Sequence, residues 1–183
     1  MSKRPIFITG NQNKADYLAA MLGIELTHQK IDLDEIQSTN LDEIVTQKVK
    51  QAYDVTGQPV LVEDVALGFD VLAGLPGPFI KFFVDIPNGL ENLCRMLDSF
   101  ENRRAVASCV FGYYDGTEVT LLKGELKGVI ATHPRGDGGF GWDKIFEPAG
   151  YDGRTRAELT TEEDVATYTI IKPFDQLRAF LNE

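Results

Sequence analysis

Histidine is almost missing from this chain: only His28 and His133 occur among 183 residues. That is too few for a His-rich zinc site or a histidine-based triad. Cysteine is equally scarce. Cys94 and Cys109 sit in apolar segments without metal-ligand spacing, which reads as two buried thiols and fits a reducing cytoplasm. No apolar run is long enough to cross a bilayer. No basic stretch precedes an apolar one at the N-terminus, so no signal peptide is expected. Positive charge is short as well: 18 Lys and Arg stand against 28 Asp and Glu, a net charge of −10. That balance excludes a broad affinity for nucleic-acid polymers. It leaves open a small polyanion, which needs only a few local cations and a metal. Repeats, low-complexity tracts and linkers are absent too. Any chemistry must rest on carboxylates, lysines and backbone amides.

What is present reads as α/β. The apolar fraction of 43% is enough for one core, or for two lobes sharing a sheet. Pro5–Thr9 reads as a buried strand running into Gly10-Asn11 and a helix from Lys14 to Leu22 closed by Gly23. A second short strand is expected over Ile24–Thr27, followed by an acidic loop at Asp32–Glu35. The clearest helix covers Leu41–Val55, with Asn40 as N-cap and Glu43 completing a capping box. Its inward stripe is Leu41, Ile44, Val45, Ala52 and Val55, and Lys48 falls on it. Val60-Leu61-Val62 reads as a strand buried on both faces, with Glu63-Asp64 at its carboxyl end, where open α/β sheets bind ligands. Gly74–Pro78 is a stiff loop, and Asn88–Phe100 an amphipathic helix. Arg104–Tyr114 and Glu118–Ile130 form a hairpin around Asp115-Gly116, a type I′ signal. The glycine-rich Arg135–Asp143 loop leads to a strand near Lys144–Phe146, and a last helix covers Pro173–Leu181.

Four constellations could carry chemistry. The first is the strand–Thr9-Gly10-Asn11–helix junction with Lys14. Unpaired helix-N-terminal amides, two polar side chains and an ammonium suit a phosphate there, although a plain cap reads the same way and the P-loop pattern is lacking. The second joins Glu35, Glu63 and Asp64. Carboxylate oxygens suit a hard cation such as Mg²⁺, and a carboxylate near the metal can accept a proton from an attacking water. The third is the pair of lysines Lys48 and Lys81, each able to meet a carboxylate or a phosphate, or to snorkel to solvent. The fourth is Phe140-Gly141-Trp142-Asp143. Its aromatics could sandwich a base and its carboxylate could accept from a base edge; core packing is the plainer reading.

Together and in this order, the segments resemble the inosine triphosphate pyrophosphatase family. The matching runs are Thr9-Gly10-Asn11-x-x-Lys14, Asp32-Leu33-x-Glu35-x-Gln37, Gln47-Lys48, Val62-Glu63-Asp64 and Gly74-Leu75-Pro76-Gly77-Pro78-Phe79-Ile80-Lys81. Phe140-Gly141-Trp142-Asp143-x-Ile145-Phe146-x-Pro148 and Ala157-Glu158 continue the series. The resemblance implies a single nucleoside triphosphate pyrophosphatase domain over 1–183, with an elongated mixed sheet and two lobes around a nucleotide cleft. It also implies a homodimer, and hydrolysis of deaminated purine nucleotides such as ITP, dITP and XTP to the monophosphate and pyrophosphate. Carried over by position, Thr9, Asn11, Lys14 and Lys48 hold the triphosphate, and Lys81 is a further cation on the substrate side. Glu35 and Asp64 bind Mg²⁺, with Mn²⁺ as the alternative. Asp64, beside Glu63 and with Lys14, activates the water. Phe140, Gly141 and Trp142 receive the base while Asp143 contacts its edge.

The departures lie in one stretch. The family has a lysine six residues after the Ala-Glu pair and then a Ser-His-Arg triplet, the donors to the purine 6-keto oxygen. Here those positions read Asp164 and Tyr168-Thr169-Ile170. Smaller differences are Val65, where a small hydroxyl residue is usual, and Tyr17, where glutamate is common. The phosphate and metal residues are kept and the base-reading edge is not. Lys172 or Arg178 are candidates to replace the lost donors. The expected protein is a Mg²⁺-dependent nucleotide pyrophosphatase with altered base preference. The alternative is a catalytically degenerate nucleotide-binding sensor or partner protein.

Overall fold

The computed structural model describes residues 3–183. Strands β1 (Ile6–Ile8), β2 (His28–Gln29), β3 (Val60–Phe69), β4 (Pro76–Gly77), β5 (Arg104–Tyr114), β6 (Val119–Ile130) and β7 (Phe146–Pro148) form one sheet. Its order is β2-β1-β3-β5-β6-β7, with β4 against β3. β1 is parallel to β2 and β3, whereas β4 is antiparallel to β3 and β7 to β6. The helices are α1 (Gln12–Leu22), α2 (Leu41–Thr56), α3 (Ile80–Val84), α4 (Gly89–Met96), α5 (Thr161–Ile171) and α6 (Phe174–Asn182). The fold is thus α/β with a mixed sheet, as the sequence indicates. No helix among the described residues is long and apolar enough to cross a membrane.

The chain divides into two compact units. One comprises Met1–Asp64, Cys109–Lys123 and Pro173–Glu183; the other comprises Val65–Ser108 and Gly124–Lys172. β3, β5 and β6 each begin in one unit and finish in the other.

In the first unit α1 starts where Asn11 Oδ1 accepts from the Lys14 amide at 3.2 Å. It stops at Gly23, left-handed at φ 67°, whose N–H returns to Ala19 and Ala20. The strand expected at 24–27 forms instead at His28–Gln29. The Ile24 amide is spent on the Ala19 carbonyl, and sheet pairing begins only where the Phe7 amide reaches Thr27 O. α2 is capped by Asn40, whose Oδ1 accepts from Asp42 N at 3.0 Å. Glu43 does not close a capping box; its carboxylate accepts from the Ser38 hydroxyl at 2.7 Å. The buried face is Ile44, Val45, Val49 and Ala52. Val55 is 62% exposed; the last-turn residue that packs on this cluster is Tyr53, its ring 5.1 Å from that of Tyr114. Val45, Val49 and Ala52 meet Val60, Val62 and Val110 in the core. Each fully buried valine there contributes roughly 1.5–3 kcal/mol.

β3 runs on to Phe69 because the apolar pattern resumes at Ala66, Leu67 and Phe69, and Leu67 pairs with Gly77. Glu63 and Asp64 therefore lie inside the strand rather than at its carboxyl end. The ladder to β1 still closes at Phe7↔Leu61, so both carboxylates stand just beyond the parallel pairing. β5 and β6 are joined by residues 115–118. The turn is not type I′, which needs positive φ at both central residues; Gly116 has φ 94° but Asp115 is not in that region. Asp115 Oδ1 instead accepts from the Thr117 and Glu118 amides, an Asx-type turn.

In the second unit the Leu75–Pro76 peptide is cis. α4 ends at Met96, four residues short of the sequence expectation. The 140s form a 3₁₀ turn over Gly141–Lys144, and β7 follows at Phe146–Pro148, later than expected. Periodicity predicts no element over 161–171, where α5 lies. Its apolar side chains do not fall on one face, but its cap was legible: the Thr160 hydroxyl accepts from the Glu163 amide, and the Glu163 carboxylate accepts from the Thr160 amide. Glu163 also accepts both Arg154 Nη atoms at 2.6 and 2.7 Å. Those Arg154 bonds, then the Thr160 amide, draw its carboxyl down to about 2. A depressed folded-state pKa stabilises above the ordinary glutamate range and loses that contribution as pH falls through the depressed value. An NMR titration should therefore find Glu163 still ionised well below pH 4, and a midpoint in the ordinary range would contradict the pairing. Cys94 and Cys109 are both free and buried, and burial pushes the Cys94 thiol up to about 11.

Candidate active site

In the first unit, β1 delivers Thr9 and Asn11 to the start of α1. The Thr9 hydroxyl oxygen accepts from the Asn11 amide at 3.1 Å, and Asn11 Oδ1 caps the helix. Both acceptors serve the turn, which leaves the Thr9 hydroxyl hydrogen and the Asn11 side-chain amide as donors at a helix N-terminus. Lys14, one turn in, reaches Glu63 Oε1 at 3.0 Å, and the Glu63 side chain is only 2% exposed. A cation the sequence reading did not single out lies alongside. The stem of Lys30 packs over Gly10, where a Cβ would come within 3.1 Å of Lys30 Cδ.

The inward lysine of α2 has found its reason. Lys48 Nζ donates to Glu35 Oε1 at 2.6 Å and to Asp64 Oδ2 at 2.7 Å, with 14% of its side chain exposed. Three residues far apart in sequence thus meet at one ammonium. Burial lowers the Lys48 pKa, but Asp64 and then Glu35 overturn this and hold it above its ordinary value. Burial pushes the Asp64 carboxyl up. Lys48 opposes that shift, Glu35 adds to it, and the result is above the usual carboxylate range. Among the described residues no three His, Cys, Asp or Glu side chains converge as around a closed metal site. Two carboxylates that already share one cation form an oxygen donor set of the kind Mg²⁺ takes when water and phosphate oxygens complete its shell.

In the second unit, Phe140 presents its ring to solvent, 87% exposed. Trp142 is half-buried and meets Phe146 edge-on, centroids 5.6 Å apart. Gly139, at φ 74°, passes so near Asp143 that a Cβ would come within 2.5 Å of the Asp143 Cβ. Lys81 is exposed and pairs with Asp85 one turn along α3. Asp143 is buried and both of its oxygens are engaged: Oδ2 accepts from the Phe140 amide and Oδ1 from Arg156 Nη1, each at 2.8 Å. Burial raises its carboxyl against the pull of Arg156.

Arg156 was missed from sequence, although it directly precedes the Ala157-Glu158 motif. Its side chain is 2% exposed, bridges Asp143 and Asp164, and donates through Nε to the Thr167 hydroxyl at 3.1 Å. The charge reversal at Asp164 is therefore met by a guanidinium eight residues earlier. Of the two replacement cations considered, Arg178 belongs to the first unit. It donates to the Met21 and Leu22 carbonyls at the end of α1, so it serves as a C-terminal cap. Lys172 is buried in the second unit, its Nζ 4.6 Å from the Tyr168 ring centre, and Arg156 Cζ lies 4.9 Å from the same ring.

The fold is that of an α/β class already seen in solved structures. A HAM1 protein from Coxiella burnetii has a TM-score of 0.86 to this chain over 98% of both, at 24% identity. The nucleoside-triphosphatase / dITP/XTP pyrophosphatase of Mycobacterium abscessus reaches 0.82 at 25% identity, covering 95% of this chain and 98% of its own. Residues 5–180 match the Ham1 family profile, and the chain belongs to that family. It is 48% identical to an inosine triphosphate pyrophosphatase of Emericella nidulans over 161 residues, 86% of this chain and 85% of the relative. To the protein of the same name in Yarrowia lipolytica it is 43% identical over 183 residues, 97% of this chain and 95% of that one.

Proposed function

We propose that the chain is a Mg²⁺-dependent nucleoside triphosphate diphosphatase acting on deaminated purine nucleotides of the ITP, dITP and XTP type. In this proposal 1–183 is one catalytic domain of a cytoplasmic homodimer. The observation that carries it is the Glu35–Lys48–Asp64 cluster. Glu35 and Asp64 would hold the metal, which would neutralise phosphate charge and lower the pKa of the attacking water. The water oxygen bonds to the α-phosphorus while the bond from that phosphorus to the α–β bridging oxygen breaks. Pyrophosphate leaves with the bonding electrons, and Asp64 accepts the water proton. Lys14, held by Glu63, and Lys48, with the Thr9 hydroxyl and Asn11 amide, bind phosphate oxygens. Phe140, Gly141 and Trp142 take the base, Asp143 its edge, and Lys81 adds a cation.

The test is pyrophosphate release with Mg²⁺ across ITP, XTP, dITP, the ordinary purine triphosphates and the pyrimidines. Release from deaminated purines is expected. No release from any nucleotide, with a thermal shift on binding still present, would replace this reading by a non-catalytic sensor.

A further inference from the structure

We infer that Arg156 is the positioning residue of the base site and sets its preference for purines that carry a hydrogen on N1. This rests on the function proposed above, in which Asp143 meets the base edge. A carboxylate is acceptor-only when ionised, with about four lone-pair sites on its two oxygens. Phe140 N–H and Arg156 Nη1 occupy one site on each oxygen. Asp143 thus keeps acceptor capacity while its direction is fixed from both ends. A fixed acceptor suits hypoxanthine, xanthine and guanine, whose N1–H donates. It opposes adenine, whose N1 is itself an acceptor.

Arg156 is built for that purpose. Three of its donors go to three different partners, Asp143 Oδ1, Asp164 Oδ1 and Thr167 Oγ1, and its guanidinium lies over Tyr168. Asp164 and Tyr168 are two of the positions at which this chain departs from its family's pattern, and both now touch Arg156. Aspartate at 164 lays down a second acidic anchor, and the arginine strung between the two acids cannot swing away from Asp143. A lysine could not span them in this way, because only a guanidinium presents several donors in a rigid fork. The cation has therefore not been lost from the segment. It stands behind Asp143, paired with Asp164 on its other side, so the N1 edge of the base meets an acceptor of fixed direction.

The experiment measures kcat and KM for ITP, XTP, GTP and ATP, with Mg²⁺, for the unaltered protein, Arg156→Met, Arg156→Lys and Asp164→Asn, each with its melting curve. The unaltered protein should favour the three N1–H purines over ATP. Arg156→Met should raise KM for those three about tenfold, the scale of one weakened hydrogen bond, while kcat falls less than about threefold and ATP is unaffected. Arg156→Lys should recover part of the preference, and Asp164→Asn should lose a smaller part. If Arg156→Met does not fold, the other two variants decide. An unaltered KM ratio in the soluble variants, whatever their melting points, would overturn the inference. So would an equal loss on all four nucleotides, or an unaltered protein that turns over ATP as well as ITP; either result leaves the pyrophosphatase reading standing. No release from any nucleotide by the unaltered protein would overturn that reading, and this inference with it.

Discussion

Asp64→Asn should reduce kcat for pyrophosphate release by about 10³-fold, within the span that general-base catalysis supplies, while the fold stays intact. Asparagine keeps the volume of the side chain and an oxygen that can accept from Lys48, so the Lys48 contact at 2.7 Å survives. What goes is the basicity of the group and half of the carboxylate pair with Glu35. Burial raises the Asp64 carboxyl while Lys48 holds it back, a balance that puts a carboxylate nearer to the proton affinity the proposed role would use. A melting point within a few degrees of the parent, with release cut by orders of magnitude, is the expected pair of results. Unchanged hydrolysis would remove Asp64 from the mechanism.

A large loss of stability should come from Gly112→Ala. Gly112 lies in β5 beneath α2, and a Cβ there would come within 2.4 Å of Val45 Cγ1 and 3.0 Å of Val49 Cγ1. Both valines are fully buried, and packed interiors yield little. The helix must rise from the sheet or two β-branched side chains must leave their rotamers. Overpacking of that kind costs about 1–3 kcal/mol. For a chain of this size each kcal/mol lowers Tm by roughly 2–4 °C. The double variant Gly112→Ala with Val45→Ala should recover part of the loss, because the two side chains compete for one space. A single variant that melts with the parent would show that the helix can lift at no cost.

Most of the element order was legible from periodicity and caps, and so was the oddity of an inward lysine, though not which partner it meets. Lys48 drew notice because it broke an apolar stripe, and it stands where Glu35 and Asp64 meet. What was hidden depended on partners distant in sequence. Val62 looked like a strand end because charged residues follow it, yet β3 continues because Leu67 finds Gly77 across the ladder. α5 carries a capping box but no apolar face, so periodicity was silent there and the cap alone did not mark a helix. Arg156 was invisible for the opposite reason. A lone arginine beside a short motif looks like surface, and only the folded chain brings Asp143, Asp164 and Thr167 to it.

The unit carrying Lys14, Lys48 and Asp64 is assembled from three separated stretches, the last of them Pro173–Glu183. That stretch is α6, whose Phe174 lies 6.2 Å from the Phe111 ring and 6.1 Å from that of Tyr17, and whose Leu177 and Leu181 are fully enclosed. Domains commonly fold as they leave the ribosome, N-terminal part first. Here the order of emergence does not favour that unit. It cannot close until Pro173–Glu183 has been made, after every residue of the other unit. A chain truncated after residue 172 should therefore be protected from protease only in its other unit, and restoring α6 should protect the first unit as well.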